Sequence, residues 1–411
     1  MIAEIFSIGN EITNGDIVNT NAGYIAFRLK QIGIDIIAHR SVRDNKAEIL
    51  RAFNDAFIYA DVIITTGGLG PTVDDITKEC AAEYFNMTPV VHEESLAKMR
   101  NFFKSLCREM PENNIKQAMF PADAHILVNE RGTAPGAVFS RENKKIAMLP
   151  GPPAEMTFMF DNYLYPYFKN MSGSVFKSRT IKFAGLGESM MDDILKDILN
   201  ENGNPKAAPY AKNNYCQVTL TANAETEKQA DVKIAAVESE INSRLGKYIF
   251  GYDDEEIEDT AAKRLIAEKL SLVTAESCTG GLIAGRMLNF SGSSGFFNEG
   301  YVTYSNESKM SLLGVKKETL EKFGAVSEET VSEMLDGALL KSGSDIAVAV
   351  SGIAGPSGGT QEKPVGLVLI GLKHGEYKEI KRLNLSGNRN RIRERTVFLV
   401  IDMLRIYLNT L

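Results

Sequence analysis

Short apolar runs alternate with helical patterns along the first third of the chain, and this alternation constrains the fold more than any other feature. The runs at 2–8, 35–42 and 62–66 have the length of strands, and a segment with helical spacing follows each of them. Strands separated by such helices are typical of βαβ units, which build a parallel sheet. A hairpin-like pair of runs between 137 and 149 comes next. The sequence therefore predicts an α/β domain at this end.

The alternation returns near the other end of the chain, and a different pattern lies between the two regions. Strand-like runs at 272–275, 300–304 and 346–350 are again separated by helical segments. The stretch from about 179 to 250 has a βαββα pattern and no obvious catalytic residues, which favours a spacer or docking domain. The predicted fold class is α/β, with two three-layer α/β domains of mostly parallel sheets joined by a small α+β domain.

Two breaks in the pattern define the predicted domain boundaries. A small polar break follows Met171, and an acid-rich run covers 251–259. We interpret that run as a linker and helix start, not as a metal site, because the first turn of a helix favours negative charge. The chain of 411 residues is also too long for one core. The predicted domains are residues 1–171, 172–251 and 252–411.

Charge and cysteine content exclude several classes of function. The chain has 46 Lys and Arg against 53 Asp and Glu, which gives a net charge of −7. We therefore expect neither nucleic acid nor a membrane as a partner, because both attract basic surfaces. No apolar stretch approaches the roughly 18 residues of a spanning helix. The four cysteines form no C-x-x-C pair, so we expect neither disulfides nor a zinc site, and a cytoplasmic location.

Three loops follow three successive predicted strands of the first domain. They contain Gly9-Asn-Glu11, residues 43–45 and the glycine-rich run 66–75. In an open parallel sheet such loops meet at one crevice. Glycines before a helix N-terminus let backbone N–H groups approach an anion. The third loop therefore predicts a phosphate cradle, although its sequence is neither G-x-G-x-x-G nor a Walker A motif.

Acidic residues in these loops predict a divalent cation. Glu11, Asp44, Asp74 and Asp75 would repel a bare phosphate, and Mg²⁺ or a similar ion bridging carboxylate and phosphate oxygens removes that conflict. The alternative is that Asp44 and either Asp74 or Asp75 merely cap helices. The predicted metal ligands are Glu11, Asp44 and Asp75. Two later loops are expected to close over the crevice, so the predicted ligand-binding residues are Asn10, Gly67, Gly68, Gly70, Thr72, Thr133, Gly136 and Gly151.

The motifs of this domain resemble those of the CinA family, named for competence- and damage-inducible protein A. They are found in order at 9–11, 65–77, 132–136 and 149–156. The resemblance implies a molybdopterin-binding-like domain that acts as a metal-dependent ADP-ribose pyrophosphatase. Asp44 and Asp75 also match positions where related molybdopterin adenylyltransferase domains keep acids. Nucleotidyl transfer to a pterin therefore stays open as the alternative activity.

A serine at a strand-to-helix turn is the main candidate for catalysis in the last domain. Ser277 lies in the run 275–281, where neighbouring N–H groups could stabilise an oxyanion. His374 is the domain's only histidine, so the base is expected to be a lysine, and Lys309 is the candidate. The alternatives are that Ser277 is an ordinary helix cap and that Lys309 is a solvated lysine. Cys278 is expected to point inward as a small apolar residue.

Two further features of this domain point to a ligand with an anionic group. Ser351 follows an apolar strand and opens a glycine-rich loop, where its hydroxyl could bond a carboxamide; a flexible loop is the alternative. Four arginines lie at 389–395, at the start of the last helix, where the helix dipole penalises cations. A substrate phosphate would compensate them, and salt bridges to Glu394 or other surface acids are the alternative.

The last domain also resembles the CinA family, through residues 275–281, 301–309, 351–356 and 364–366. The resemblance implies a nicotinamide mononucleotide amidohydrolase that needs no cofactor. It also implies that Ser277, Lys309 and Tyr304 are catalytic, and that the protein is a homodimer. The residues expected to bind substrate, with Ser351 at the amide and the arginines at the phosphate, are Thr279, Gly280, Gly281, Ser351, Gly352, Gly355, Arg389, Arg391 and Arg393.

Two substitutions separate this sequence from many relatives. Threonine is common at position 351 and Asp-Gly-Gly after the loop proline, where this chain has Ser351 and Ser357.

The predicted function is a bifunctional enzyme of pyridine nucleotide salvage that acts on nicotinamide mononucleotide and ADP-ribose. The alternatives are nucleotidyl transfer at the first site and a non-catalytic accessory protein of competence or DNA uptake.

Overall fold

A computed structural model describes residues 1–171, 175–199 and 203–411. The chain forms two compact units, residues 1–178 with 221–236 and residues 179–220 with 237–411. The predicted fold class is confirmed, with α/β domains on either side of a small domain. The polar break predicted after Met171 lies outside the described residues, and the two domain boundaries stay predictions.

Strands and helices alternate through the N-terminal region. Its strands are β1 (Ile2–Ile8), β2 (Asp35–Val42), β3 (Val62–Thr66), β4 (Pro89–Val91), β5 (Met119–Pro121), β6 (His125–Leu127), β7 (Gly136–Arg141) and β8 (Lys144–Leu149). Its helices are α1 (Asn10–Thr13), α2 (Asn21–Lys30), α3 (Lys46–Ala56), α4 (Thr77–Tyr84), α5 (Glu93–Ser105), α6 (Pro153–Met159) and α7 (Tyr165–Met171).

The main N-terminal sheet has the order β2-β1-β3-β8-β7-β6. Strands β2, β1, β3 and β8 are parallel, so their carboxyl ends share one edge, while β7 and β6 pair antiparallel. Successive residues of β1 enter different cores because side chains alternate across a strand. Phe6 stacks on Phe53 of α3 at 5.8 Å, and Ile5 packs in the cluster that contains Ile25 of α2. Helices therefore cover both faces of the sheet.

The segment from β4 to β5 has structure that the sequence analysis did not predict. It contains a two-stranded sheet, α5 and a 3₁₀ helix at Glu112–Ala118. Lys78 of α4 holds this segment, since its Nζ donates to the carbonyls of Lys116 at 3.0 Å and Gln117 at 2.6 Å. The ammonium also lies 4.3 Å from the Phe120 ring centroid. Burial lowers the pKa of Lys78 to about 7.

Replacing Lys78 by methionine is expected to change how stability depends on pH. In the unfolded chain, Lys78 keeps its proton up to about pH 10.4, the ordinary pKa of lysine. In the folded chain, its pKa of about 7 means that it loses the proton above about pH 7. Wild-type stability should therefore rise with pH in that window, by up to about 1.4 kcal/mol per unit. The unfolding free energy of Lys78→Met relative to the wild type should fall by the same amount across this window and stay constant below pH 7.

Urea unfolding of the two proteins across this pH range measures the difference. Lys98→Met, which removes an exposed lysine of α5, is the matched control and should give a difference independent of pH. A pH-independent difference for Lys78→Met as well would contradict a neutral buried amine at this position.

The small region that follows has a βαββαβ order. Its elements are β9 (Val175–Phe183), α8 (Glu188–Leu195), β10 (Lys206–Ala211), β11 (Cys216–Ala224), α9 (Glu227–Leu245) and β12 (Ile249–Tyr252). The four strands form one sheet in the order β10-β11-β9-β12.

The C-terminal region repeats the layered arrangement with a different sheet. Its strands are β13 (Leu272–Glu276), β14 (Phe297–Val302), β15 (Ile346–Gly352), β16 (Leu367–His374) and β17 (Tyr377–Asn384). Its helices are α10 (Ile257–Glu268), α11 (Leu282–Leu288), α12 (Asn306–Leu313), α13 (Lys317–Phe323), α14 (Glu328–Ser342) and α15 (Arg389–Leu408). The sheet order is β14-β13-β15-β16-β17, and only β14, β13 and β15 are parallel.

Helices cover both faces of this sheet as well. Val348 and Ala349 are adjacent in β15 and enter different clusters, one with Ile401 of α15 and the other with Met334 of α14. Because β13, β14 and β15 are parallel, their carboxyl ends meet at one edge of the sheet. The predicted catalytic residues follow these strands in the chain. In the described ranges, no helix combines the length and apolar character needed to cross a bilayer.

Candidate functional sites

The turn that carries Ser277 is fixed to both neighbouring strands. It joins β13 to α11, and the Ser277 N–H donates to the Val350 carbonyl at 3.0 Å. The Glu276 carbonyl accepts from the Thr303 N–H at 2.8 Å. Gly280 and Gly281 have φ angles of 61° and 90°, which are left-handed values that glycine adopts without strain. The turn thus has a defined shape before any ligand binds.

Glu276 caps the helix that follows this turn. Its side chain is only 1% exposed, and its carboxylate accepts the N–H groups of Gly281, Ile283 and Ala284 at 2.9, 3.1 and 2.8 Å. The interpretation of Ser277 as an ordinary helix cap is therefore wrong, because a carboxylate already takes these donors. The sequence analysis assigned Glu276 no role, although a buried-strand acid beside a glycine turn is a usable signal.

The Ser277 hydroxyl lies beside a buried amine. Lys309 Nζ is 3.2 Å from Ser277 Oγ, and the Lys309 side chain is 0% exposed. The amine also lies 2.7 Å from the Thr303 carbonyl and 3.3 Å from the Tyr304 carbonyl. The interpretation of Lys309 as a solvated lysine is therefore wrong. Burial lowers the pKa of Lys309, which favours the neutral amine that a proton acceptor requires.

Two other residues of the turn differ in their chemistry from Ser277. Cys278 is buried, and burial raises the pKa of its thiol to about 11, so it is protonated at neutral pH and unsuited to nucleophilic attack. Thr279 is also buried, and its hydroxyl has no hydrogen-bond partner within the described residues. That hydroxyl is a free polar group in the turn.

The arginines at the start of α15 divide into two pairs. Arg393 donates from Nε to the Cys278 carbonyl at 3.1 Å and from Nη2 to the Thr279 carbonyl at 2.8 Å, so it fixes the Ser277 turn. Arg389 donates to the Gly355 carbonyl at 2.8 Å and to the Tyr304 hydroxyl at 3.3 Å. Arg391 and Arg395 instead line a different cavity.

The prediction of one phosphate-binding arginine cluster is therefore corrected. Residues at i and i+4 share a helix face, whereas those at i and i+2 lie on nearly opposite faces. Arg389 and Arg393 accordingly reach the Ser277 turn and its neighbouring loop, and Arg391 does not.

Ser351 and the glycines of its loop have mainly packing contacts. The buried Ser351 hydroxyl donates to the Ala325 carbonyl at 2.6 Å, so only its oxygen lone pairs remain for a ligand. A Cβ on Gly352 would lie 2.8 Å from Val368, and Gly355 has a φ of 76°. Tyr304, in contrast, is 63% exposed at the site's surface.

The N-terminal site is a cavity of about 410 Å³ at the carboxyl edge of the parallel strands. It brings together most of the predicted residues of this domain: Glu11, Asp44, Gly67, Gly68, Gly70, Thr72, Asp75, Thr133 and Gly151. Two predicted residues do not line it. Asn10 contributes its backbone N–H to Asp44 at 2.9 Å. Gly136 is a correction, since it is buried in β7 and a Cβ there would lie 2.4 Å from the Met148 carbonyl oxygen.

The glycine loop of this cavity is held by side chains that the sequence analysis missed. Lys116 Nζ donates to the carbonyls of Thr72 and Asp75, both at 2.7 Å, and Gln117 donates to the Leu69 carbonyl at 3.1 Å. Gly67 has a φ of 97°, and a Cβ there would lie 2.1 Å from the Ile8 carbonyl. The loop backbone is therefore fixed beside β1.

The acids of this cavity do not cap α3 or α4, as the alternative interpretation required. Asn45, not Asp44, caps α3 by accepting from the Glu48 N–H at 3.1 Å. Asp75 accepts from the Thr72 N–H at 2.9 Å and from the Thr72 hydroxyl at 2.5 Å, while α4 has no side-chain cap. Burial and then the charges of Glu11, Asp75 and Asp74 raise the pKa of Asp44.

The three predicted metal ligands do not form a ready-made ligand set. Within residues 1–171, 175–199 and 203–411, no three His, Cys, Asp or Glu side chains are arranged to hold a metal ion. Magnesium is often bound by one or two carboxylates together with substrate phosphates. The mutual repulsion around Asp44 fits a cation of that kind, which arrives with a phosphate ligand, and not a resident ion held by three carboxylates.

An adjoining cavity of about 280 Å³ shares Gly67 and Gly151 with the glycine-loop cavity. Ile17 and Val18 give it apolar walls. Asn21 donates from Nδ2 to the Gly151 carbonyl at 2.8 Å, and its buried Oδ1 has no partner in the described part of the chain. The lining thus combines apolar side chains with one unpaired amide oxygen.

Removal of the Glu276 carboxylate is expected to destabilise the C-terminal region. Glu276→Ala leaves up to three backbone N–H groups without an acceptor, and each buried unpaired group costs about 1–3 kcal/mol. Thermal unfolding should therefore shift to lower temperature. Glu376→Ala, in the exposed turn between β16 and β17, is the control and should unfold with the wild type. Equal transitions for both variants would show that Glu276 does not hold the turn.

Three family models match successive parts of the chain. They describe a probable molybdopterin binding domain at 4–170, the damage-inducible protein CinA KH domain at 178–251 and the CinA C-terminal domain at 254–408. Similar proteins are named competence-damage inducible protein. Those of Clostridium perfringens strain 13 and Alkaliphilus oremlandii strain OhILAs are 49% identical over 406 residues and 45% identical over 405. Each alignment covers 98% of this chain and of the relative.

Solved structures match a smaller part of the chain. The competence/damage inducible protein CihA from Agrobacterium tumefaciens is 44% identical, covers 38% of this chain and 97% of its own, and has a TM-score of 0.36. A CinA superfamily protein from Klebsiella pneumoniae 700603 is 36% identical, with 38% and 97% coverage and a TM-score of 0.37.

Proposed function

Because the chain belongs to the CinA family, we propose that it is a two-activity enzyme of pyridine nucleotide salvage. Its C-terminal site would hydrolyse the carboxamide of nicotinamide mononucleotide, and its N-terminal site the diphosphate of ADP-ribose. The observation that carries the first activity is the 3.2 Å contact between Ser277 Oγ and the fully buried Lys309 Nζ.

The three contacts of Lys309 match the needs of a neutral amine that acts as a base. Such an amine has two N–H donors and one lone pair. The carbonyls of Thr303 and Tyr304 accept the two donors, which leaves the lone pair for the Ser277 hydroxyl. This arrangement supports a Ser–Lys pair in which the serine proton moves to the amine as the oxygen attacks.

The proposed amide hydrolysis proceeds in two steps. Ser277 Oγ attacks the carboxamide carbon while its proton passes to Lys309 Nζ, and Lys309 then protonates the departing ammonia. The resulting acyl ester on Ser277 is cleaved by water, whose proton Lys309 accepts and returns to the serine oxygen. The N–H groups of Cys278 and Thr279, which are not bound to Glu276, would bind the oxyanion. Arg389 and Tyr304 lie at the entrance, where Arg389 would bind the 5′-phosphate.

The N-terminal proposal rests on the glycine loop and the two adjoining cavities. Backbone N–H groups of the loop would bind the diphosphate, and the apolar cavity with Asn21 would take the base. A divalent cation held by Asp44 and the phosphate would stabilise charge on the phosphate oxygens. A carboxylate in the group of acids around Asp44 would also accept a proton from the attacking water. Nucleotidyl transfer to a pterin is the second candidate, since the molybdopterin binding domain model matches this region.

Ammonia release from nicotinamide mononucleotide tests the Ser–Lys pair. Ser277→Ala and Lys309→Met should each lower the rate by at least about 100-fold, because they remove the nucleophile and its base. Lys317→Ala removes an exposed lysine of α13 and is the matched control, with an unchanged rate expected. Circular dichroism confirms that the variants fold. Full activity in either site variant would refute the pair.

The pH dependence of the same reaction reports the state of Lys309. A base must be unprotonated, so kcat/KM should fall as pH drops through the Lys309 pKa, which burial places below its ordinary value. The fall should therefore occur below about pH 10.4. If Lys309→Met keeps residual activity and its kcat/KM falls over the same pH range, the titration belongs to another group.

Hydrolysis of ADP-ribose to AMP and ribose 5-phosphate tests the N-terminal site. Asp44→Asn should lower the rate at least about tenfold, since the carboxylate acts on the phosphate-bound cation. Asp35→Asn, at the opposite end of β2, is the control. Addition of EDTA should stop this reaction and leave ammonia release unchanged. AMP transfer to a pterin acceptor in place of hydrolysis would favour the second candidate.

The remaining expectations concern partners. We propose small nucleotides as ligands and a homodimer as the assembly, and light scattering of the full chain measures the latter. Strong retention on DNA at physiological salt, with neither hydrolysis detectable, would favour the accessory role instead.

A further inference from the structure

A separate cavity of about 330 Å³ lies within the C-terminal unit, and neither proposed activity uses it. The turn between β10 and β11 forms one wall, and the residues after β17 form another. Arg391 and Arg395, from the second face of α15, complete it. Residues of the small region, in the β10–β11 turn, and of the C-terminal region, in α15, thus line the same cavity.

Three cationic side chains converge on this cavity. They are Lys212 from the β10–β11 turn and Arg391 and Arg395 from α15. None of the described residues that line the cavity is an aspartate or glutamate. Across the described ranges, neither the Lys212 ammonium nor the Arg391 guanidinium forms a hydrogen bond or an ion pair.

Arg395 is not neutralised either. Its Nη1 donates to the Asn214 carbonyl, which is an uncharged acceptor. Burial and the nearby charge of Arg391 lower the pKa of Arg395, so the two guanidinium groups repel each other. Asp402 attracts Arg395 but is itself paired with Arg405 at 2.7 Å. Three uncompensated cations around one cavity are unexpected in a chain whose net charge is −7.

We propose that this cavity binds a small phosphate-bearing anion, held by Lys212, Arg391 and Arg395. Arginine donors match phosphate oxygens in pairs, and a lysine adds a point charge. Asn213, Asn384 and Ser386 line the cavity and supply neutral polar groups. The cations surround one volume and do not form an extended stripe, which favours a single phosphate group over a nucleic-acid backbone.

Binding at this cavity would act on the Ser277 turn through α15. Arg391 lies between Arg389 and Arg393, which bind the loop carbonyl of Gly355 and the turn carbonyl of Cys278. An anion that removes the repulsion between Arg391 and Arg395 stabilises the first turns of this helix. Through these contacts of α15, a bound anion would act on the Ser277 turn and so on the proposed C-terminal activity. This consequence rests on the proposed amidase, whereas the binding itself does not.

Calorimetric titration of the full chain with inorganic pyrophosphate, at physiological salt, tests the binding. A double variant, Lys212→Gln with Arg391→Gln, should weaken one binding event by at least about tenfold, which equals about 1.4 kcal/mol. Arg382→Gln, an exposed arginine of β17 outside the cavity, is the matched control and should bind as the wild type does. Ser277→Ala should also bind unchanged, which separates this site from the proposed amidase. Titration with AMP shows whether the site also accepts a phosphate ester.

Three outcomes would overturn the proposal. The first is unchanged pyrophosphate affinity in the double variant. The second is loss of the binding event in Arg389→Gln alone, which would place the anion beside Tyr304. The third is tight binding of a single-stranded oligonucleotide that depends on Lys212 and Arg391 while pyrophosphate does not bind, which would identify a nucleic-acid surface.

Discussion

A buried amine that contacts two carbonyls and one hydroxyl is the interaction on which the C-terminal site depends. Lys309 reaches this position because α12 begins just after β14, so the helix returns its lysine toward the end of β13. The carbonyls of Thr303 and Tyr304 fix the amine from one side. A protonated lysine in this place lacks water, and the neutral form is correspondingly favoured. Position, burial and proton affinity thus have one structural origin.

The two proposed sites have the same architecture and side chains of opposite charge. Each lies where parallel strands end, and each uses a glycine turn to expose backbone N–H groups. At the N-terminal site, carboxylates lie close to Asp44, and the proposed diphosphate would need a cation to offset their charge. At the C-terminal site, arginines and a lysine lie around the turn, and the proposed ligand phosphate would need no cation there. The fold supplies the geometry, and the loop residues decide the chemistry.

The sequence was sufficient for the fold class and for the strands that carry both sites. The runs at 2–8, 35–42 and 62–66 are strands with those bounds, because apolar parallel strands between helices leave a clear pattern. The segment from 89 to 121 was not predicted, since three-residue strands carry no readable alternation. The Ser277–Lys309 contact followed from chemistry, as a serine without histidine needs another base.

Contacts between distant residues were beyond the reach of the sequence. Only the fold shows that the four arginines of α15 divide between two places, with one pair facing the Ser277 turn and the other the β10–β11 turn. The role of Gly136 was misread, because a glycine next to a loop motif is also compatible with close strand packing. The support of the glycine loop by Lys116 and Gln117 depends on a 3₁₀ helix more than 40 residues away.

Glu276 caps α11, so the start of this helix does not depend on the Ser277 hydroxyl that we propose as the nucleophile. In many strand–turn–helix units one serine serves both purposes, so deleting its oxygen damages the architecture as well as the chemistry. Here the Glu276 carboxylate still accepts the N–H groups at the start of α11 when the Ser277 hydroxyl is removed. Under the proposed mechanism, Ser277→Ala therefore offers an intact receptor that leaves its ligand undegraded, which suits crystallography of the complex.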